Sequence, residues 1–179
     1  AVGHQSNDYK TILKQADIAL YRAKAEGRNN FQFYSPDLES DSKERLYLVN
    51  CLHRALERGE FRVFYQLQAD IRTNTIVGSE ALLRWYHPER GMQSPKDFIP
   101  LLEDSRLIVP VSRWLLHEAF SAHKHWITRG LIPGDGHISV NLSPKQLRST
   151  QIITHVENAL RDSGLSGESV VLEITESAL

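Results

Sequence analysis

The chain has 179 residues, enough for one ordinary domain, with the 41% hydrophobic and 24% charged content of a soluble globular protein. A formal net charge of −1 argues against a general nucleic-acid or membrane-surface binder, although basic residues can still line a local phosphate pocket. The single Cys51 excludes an internal disulfide framework and fits a reducing, cytoplasmic location, and no run has the apolar length of a membrane helix. The first residue is Ala1 and the only methionine is Met92, so the chain is expected to be a fragment or a processed product.

Residues 1–10 are polar and give little pattern. Residues 11–25 read as an amphipathic helix, with Ile12, Ala16, Ala19, Leu20 and Ala23 at helical spacing and Gly27 as the stop. Phe31-Gln32-Phe33-Tyr34 alternates like a short strand. After Ser35-Pro36-Asp37 the chain is polar and then helical to Gly59, with Leu46, Val49, Leu52 and Leu56 on one stripe. This is a linker helix. Residues 61–70 are strand-like, with Phe61, Val63 and Tyr65 alternating against Arg62, Phe64 and Gln66. Thr73-Asn74 makes a turn, and a strand over 76–85 follows.

Ser94 as N-cap and Pro95 at N1 start a helix whose apolar side is Phe98, Leu101 and Leu102. Another runs from Pro110 to Arg129, with Val111, Leu115, Ala119, Ala122 and Trp126 inward. His117, His123 and His125 lie on it and invite a metal reading. His123 and His125 are two apart, roughly 200° around a helix, and cannot chelate together, so all three are read as solvated. His137 to Leu142 is a strand with Ser139 and Asn141 opposite its apolar residues. Ser149 to Ser163 is a helix with Ile152, Ile153, Val156, Ala159 and Leu160 inside. Residues 169–175 are a last strand. Strand, helix, strand, helix, strand is the order of βαβ units and a parallel sheet.

The informative stretch is Ser79-Glu80-Ala81-Leu82-Leu83-Arg84-Trp85. Strand alternation puts Glu80, Leu82 and Arg84 on one face and Ala81, Leu83 and Trp85 on the other. Four strand steps separate Glu80 and Arg84 by about 13 Å, too far for direct pairing. Each then meets something else, such as a cation for Glu80 and an anion for Arg84, or else the face is a solvated one. Three apolar strands carry Glu80, Asn141 and Glu173 toward their C-terminal ends, where α/β barrels assemble active sites. These are either three unrelated surface residues or one shared site. Two carboxylates and an amide oxygen suit Mg²⁺ or Mn²⁺ rather than zinc.

Glu80-Ala81-Leu82 followed by Leu83-Arg84-Trp85 resembles the signature of the EAL family, bacterial phosphodiesterases of cyclic di-GMP. His87-Pro88-Glu89-Arg90-Gly91, Phe98-Ile99-Pro100, Val140-Asn141-Leu142-Ser143 and Leu172-Glu173-Ile174-Thr175-Glu176-Ser177 resemble further family blocks, in family order. Ala16-Asp17-Ile18-Ala19-Leu20-Tyr21-Arg22-Ala23-Lys24, with Gly27-Arg28-Asn29 after it, resembles the C-terminal end of a GGDEF (diguanylate cyclase) domain. The resemblance implies an α/β fold, a partial (β/α)8 TIM-like barrel of the EAL type, truncated here. It divides the chain into a GGDEF remnant over 1–34, a linker region over 35–59 and the EAL part over 60–179.

What the resemblance implies for function is metal-assisted hydrolysis of cyclic di-GMP to the linear dinucleotide within a larger GGDEF-EAL signalling protein. That protein would be a homodimer, with any membrane or sensory segment upstream. Glu80, Asn141 and Glu173 match metal ligands for a pair of Mg²⁺ or Mn²⁺ ions, with Glu80 also catalytic. Gln66 and Arg84 match substrate-binding positions, and Glu176 a residue that steadies an active-site loop. Two departures bear on this. Leu67 stands where the family usually has proline. The family's paired aspartates, lysine and later glutamate fall past Leu179, so the chain alone is expected to lack turnover. The alternative is an EAL module that senses cyclic di-GMP or a protein partner without cleaving it.

Overall fold

The computed structural model describes residues 8–25, 29–148 and 150–174, and the chain divides into two compact units, 1–50 and 51–179. In the first unit, α1 spans Tyr9–Ala25. It starts two residues before the apolar pattern because Asp8 caps it, accepting from Lys10 N and Thr11 Oγ1, each at 3.2 Å. Ala19 and Ala23 are buried, whereas Leu20, expected on the same stripe, is exposed. Helix α2 spans Pro36–Ala55, with Ser35 Oγ accepting from Leu38 N and Pro36 at the first helical position. Leu46 of the expected inward stripe is also exposed. Glu39 ties the two helices together. It accepts from Lys14 at 2.7 Å, Tyr34 at 2.8 Å and Lys43 at 3.0 Å, and these bonds, Lys14 first, hold its carboxyl at about 2.

Phe31–Tyr34 is not a strand. A strand needs a ladder partner, and the described residues of this unit form only helices. The period-2 pattern instead leaves Phe31 and Phe33 exposed on one side, their rings meeting edge to face at 5.4 Å.

The second unit is a mixed sheet with helices on one face. β1 (Phe61–Asp70) and β2 (Thr75–His87) form an antiparallel hairpin, closed by a turn in which Asn74 takes a positive φ of 52°. β3 (Gly91–Gln93) pairs antiparallel with the far end of β2. β4 (His137–Leu142) and β5 (Val170–Ile174) then add in parallel, giving the order β1-β2-β4-β5. The parallel part follows the expected βαβ logic, with α3 (Pro95–Asp104), α4 (Ile108–Thr128) and α6 (Gln151–Ser163) as crossovers. The hairpin and β3 make the sheet mixed, and the described residues form an open sheet.

The core lies on the face of Ala81, Leu83 and Trp85, as the alternation in β2 predicts. Trp85 is fully buried and packs on Phe61 and on Phe98 of α3 at ring separations of 6.5 and 5.9 Å. Ser94 starts α3 in extended conformation, but its hydroxyl makes no cap bond. Helix α4 buries Val111, Leu115, Leu116, Ala119 and Phe120.

Of the α4 histidines expected in solvent, His125 is exposed, His117 is half-buried with its Nδ1 3.5 Å from Asp162, and His123 departs furthest. It is completely buried rather than solvated, and its Nε2 bonds the Gly136 carbonyl at 3.0 Å. The misreading has a plain cause. His123 falls at i+4 from Ala119, on the inward stripe, and an imidazole with one partner fits there. On α6 the expected core residue Ile153 is 60% exposed, while Ala159 is fully buried. Among the described residues, no helix is long and apolar enough to cross a membrane.

Candidate active site

The polar face of the sheet collects the residues singled out from the sequence. Directly opposed residues in a ladder point the same way. Gln66 of β1 is opposite Glu80 of β2, which is opposite Ser139 of β4. Asn141, two residues beyond Ser139, is opposite Glu173 of β5. Gln66, Glu80, Arg84, Asn141 and Glu173 therefore share one face, on four adjacent strands. Glu80, Arg84 and Glu173 are half-buried, and Gln66 and Asn141 are exposed. Leu67 continues the β1–β2 ladder opposite Ser79, and the register shifts only at Gln68/Ala69, so a leucine after Gln66 leaves that glutamine in regular strand.

Glu80 and Asn141 touch. Asn141 Nδ2 donates to Glu80 Oε1 at 2.7 Å across the β2–β4 boundary. Glu173 stands on the next strand, about 4.8 Å further across the sheet by ordinary strand spacing. Glu80 and Arg84 each meet something else, as their separation requires. The Arg84 guanidinium lies 5.7 Å over the Phe64 ring, and its Nη1 donates to the Leu83 carbonyl at 2.8 Å. Among the described residues no group of three His, Cys, Asp or Glu side chains converges, so the amide of Asn141 is needed to complete an oxygen triad. Glu176 lies outside the described residues.

Two features escaped the sequence reading. The β2–β4 ladder ends at Ala81↔Val140, and where the strands part a cavity of about 280 Å³ opens beside the triad. Leu82, Arg84, Pro95, Ile99, Asn141 and the buried Ser112 are among the residues that line it. A crevice where neighbouring strands separate at their C-terminal ends is the usual ligand position in open α/β sheets.

The second feature is a clasp after Asn141. A short helix, α5 (Pro144–Leu147), follows β4 at once and is secured by a capping box between Ser143 and Gln146. Ser143 Oγ also donates to Glu103 Oε1 at 2.6 Å, and Lys145 Nζ meets Asp104 Oδ1 at 2.5 Å, both at the end of α3. Four residues cannot hold a helix alone. The Ser143-Pro144-Lys145-Gln146 pattern, a cap residue with proline at N1 and glutamine at N3, was the readable signal.

Against this geometry, the EAL domain family matches residues 49–179. The chain belongs to the EAL domain family. It is 37% identical over 166 residues to the bifunctional diguanylate cyclase/cyclic di-GMP phosphodiesterase MucR of Pseudomonas aeruginosa, covering 93% of this chain and 24% of MucR. It is 34% identical over 173 residues to the cyclic di-GMP phosphodiesterase PdeR of Escherichia coli, covering 97% of this chain and 26% of PdeR. A solved structure, the PaMucR phosphodiesterase in complex with c-di-GMP, superposes with a TM-score of 0.70 at 37% identity, over 74% of this chain and 53% of that one. The chain thus spans about a quarter of these curated relatives and about half of the solved EAL chain.

Proposed function

We propose that this chain supplies the first part of the catalytic domain of a cyclic di-GMP phosphodiesterase within a longer protein. The observation that supports the reading is that Glu80, Asn141 and Glu173 lie on one sheet face, with Glu80 and Asn141 in contact at 2.7 Å. The donor set fits a hard divalent cation. It offers two carboxylates and an amide oxygen, which suit Mg²⁺ or Mn²⁺. When bound, such ions supply an activated water and offset charge on the attacking and leaving oxygens of a phosphodiester.

The residues of the chain have distinct tasks. Glu80, Asn141 and Glu173 would hold the cation. The Asn141 amide nitrogen also orients the Glu80 carboxylate. Arg84 presents a planar set of N–H donors suited to a phosphate oxygen. Gln66, opposite Glu80, offers an amide to the substrate at the same level of the sheet. The cavity beside Leu82 and Arg84 has room for one flat nucleobase. Glu176 would steady the loop after β5. Residues 1–34 are read as the end of a GGDEF domain, supported by an alignment to the bifunctional MucR that covers 93% of this chain.

The test uses the longest natural protein that contains this sequence. Hydrolysis of cyclic di-GMP to the linear dinucleotide, dependent on Mg²⁺ or Mn²⁺ and abolished by Glu80→Gln, is the expected result. Tight binding of cyclic di-GMP with no turnover under any divalent cation would replace the enzyme by a sensor.

A further inference from the structure

On the face that carries Glu80, two arginines stand directly opposite one another. Arg62 of β1 pairs in register with Arg84 of β2. Like charges in that relation destabilise a ladder. The chain does not neutralise them. Among the described residues neither guanidinium makes an ion pair, and their hydrogen bonds go to main-chain carbonyls. Arg62 Nη1 donates to Gly59 and, at 2.7 Å, to Phe61, and Arg84 Nη1 donates to Leu83. Glu60, two residues before Arg62, is turned instead to the Trp85 indole N–H at 3.0 Å. A guanidinium carries five N–H groups, so both arginines keep donors for an outside acceptor.

Two rings flank the pair. Phe64 is 43% exposed and Tyr86 41%, with centroids 6.4 Å apart, and the Arg84 guanidinium lies over the first. Edge strands often carry positive charge to deter pairing with other chains. That accounts for Arg62 on the edge strand β1. It does not account for Arg84, which stands on β2 beside β1, in the gap between the ends of the β4 and β3 ladders.

We infer that Arg62, Phe64, Arg84 and Tyr86 form a subsite for a nucleoside phosphate, with the oxyanion taken by the remaining N–H groups of the two arginines and the base against the exposed rings. The inference rests on the reading of this face as a cyclic dinucleotide site, and it adds Arg62, Phe64 and Tyr86 to it. The pair lies four strand steps from Glu80, about 13 Å. That is far enough to serve the nucleotide remote from the oxygen triad. Paired guanidiniums suit a phosphate, and exposed rings suit any base face.

The experiment is calorimetric titration of the full chain with cyclic di-GMP, and separately with GMP, both without divalent cations. Wild type is compared with Arg62→Ala, Arg62→Lys and Phe64→Leu. Arg62 and Phe64 are exposed, so these variants are expected to fold, with thermal unfolding as the check. Arg62→Ala should weaken both ligands about tenfold. Arg62→Lys should recover part of the loss, and Phe64→Leu should weaken GMP. Unchanged affinities in Arg62→Ala and Phe64→Leu would reduce Arg62 to an edge-protecting charge and overturn the subsite. GMP binding that depends on Arg62, in a chain that ignores cyclic di-GMP, would keep the subsite and remove the substrate reading. Failure of both ligands to bind wild type would remove both.

Discussion

Glu80 is the residue on which the proposed chemistry turns, and its neighbour makes a clean substitution available. A glutamine there can still accept from Asn141 Nδ2, so Glu80→Gln removes charge while keeping the contact seen at 2.7 Å. Manganese affinity should fall by at least about tenfold with little change in thermal stability, because charge count tunes affinity at oxygen sites. Calorimetry with Mn²⁺, beside a thermal melt, checks both halves of the expectation. His123 gives a prediction of another kind. Burial pushes its pKa below the ordinary histidine value, outweighing the Gly136 bond that favours the proton. The unfolded chain therefore binds that proton more readily than the folded one. Stability from this group is complete above about 6.5 and is lost as pH falls toward and through the lowered folded value. Urea midpoints measured at neutral and at mildly acidic pH should drop more for wild type than for His123→Gln. The oxygen-donor composition of Glu80, Asn141 and Glu173 was readable from residue types alone. The burial of His123 was not, because histidines on one helix take any degree of exposure: His125 is exposed and His117 half-buried beside Asp162.

At the level of elements, the end of β4 is held from α3. The Glu103 carboxylate takes the Ser143 hydroxyl at 2.6 Å, a distance typical of a charge-assisted bond, and Asp104 takes Lys145. Glu103→Ala should cost about 1–3 kcal/mol, and Glu103→Gln distinctly less, since an amide oxygen still accepts. Denaturant midpoints of the two variants decide it. If they are equal, the clasp does not depend on that acceptor. The β2–β4 seam makes a harder demand. A Cβ on Gly78 would sit 2.5 Å from the His137 carbonyl oxygen, which is main chain and cannot swing away. Gly78→Ala should therefore destabilise by about 1–3 kcal/mol or more, measured by urea unfolding. Strand β2 was readable residue by residue, because alternation between a buried and a half-buried face is a direct imprint of period 2. Phe31–Tyr34 shows the limit of the same rule. Alternation states which side chains share a side, and the ladder partner that makes a strand comes from elsewhere in the fold. Ile153 failed for a related reason, since helical spacing defines a stripe but not its width.

For the whole molecule, the division at Asn50/Cys51 implies unequal stability. The first unit buries Ala19 and Ala23 and leaves Leu13, Leu20 and Leu46 exposed, whereas the second encloses Trp85, Phe61, Phe98 and Phe120. Amides of residues 9–25 should exchange with solvent deuterium well before those of β2 and β4, with the outer strands β1 and β5 between them. Uniform protection across both units would show a single cooperative body instead. The parallel order of β2, β4 and β5 followed from alternating helices and strands. The opposition of Arg62 and Arg84 did not, since only the length and shape of the hairpin fix which residues face each other. Trp85 adds a practical consequence. Its indole is fully enclosed and donates to Glu60, while the adjacent Arg84 emerges on the reverse side of the strand. Of the three tryptophans it is the one within β2, the chain neighbour of Arg84. The protein thus contains its own optical gauge. With Trp114 and Trp126 replaced by phenylalanine, the remaining emission would register occupancy on the far side of the sheet without a dye, a tag or a catalytic assay.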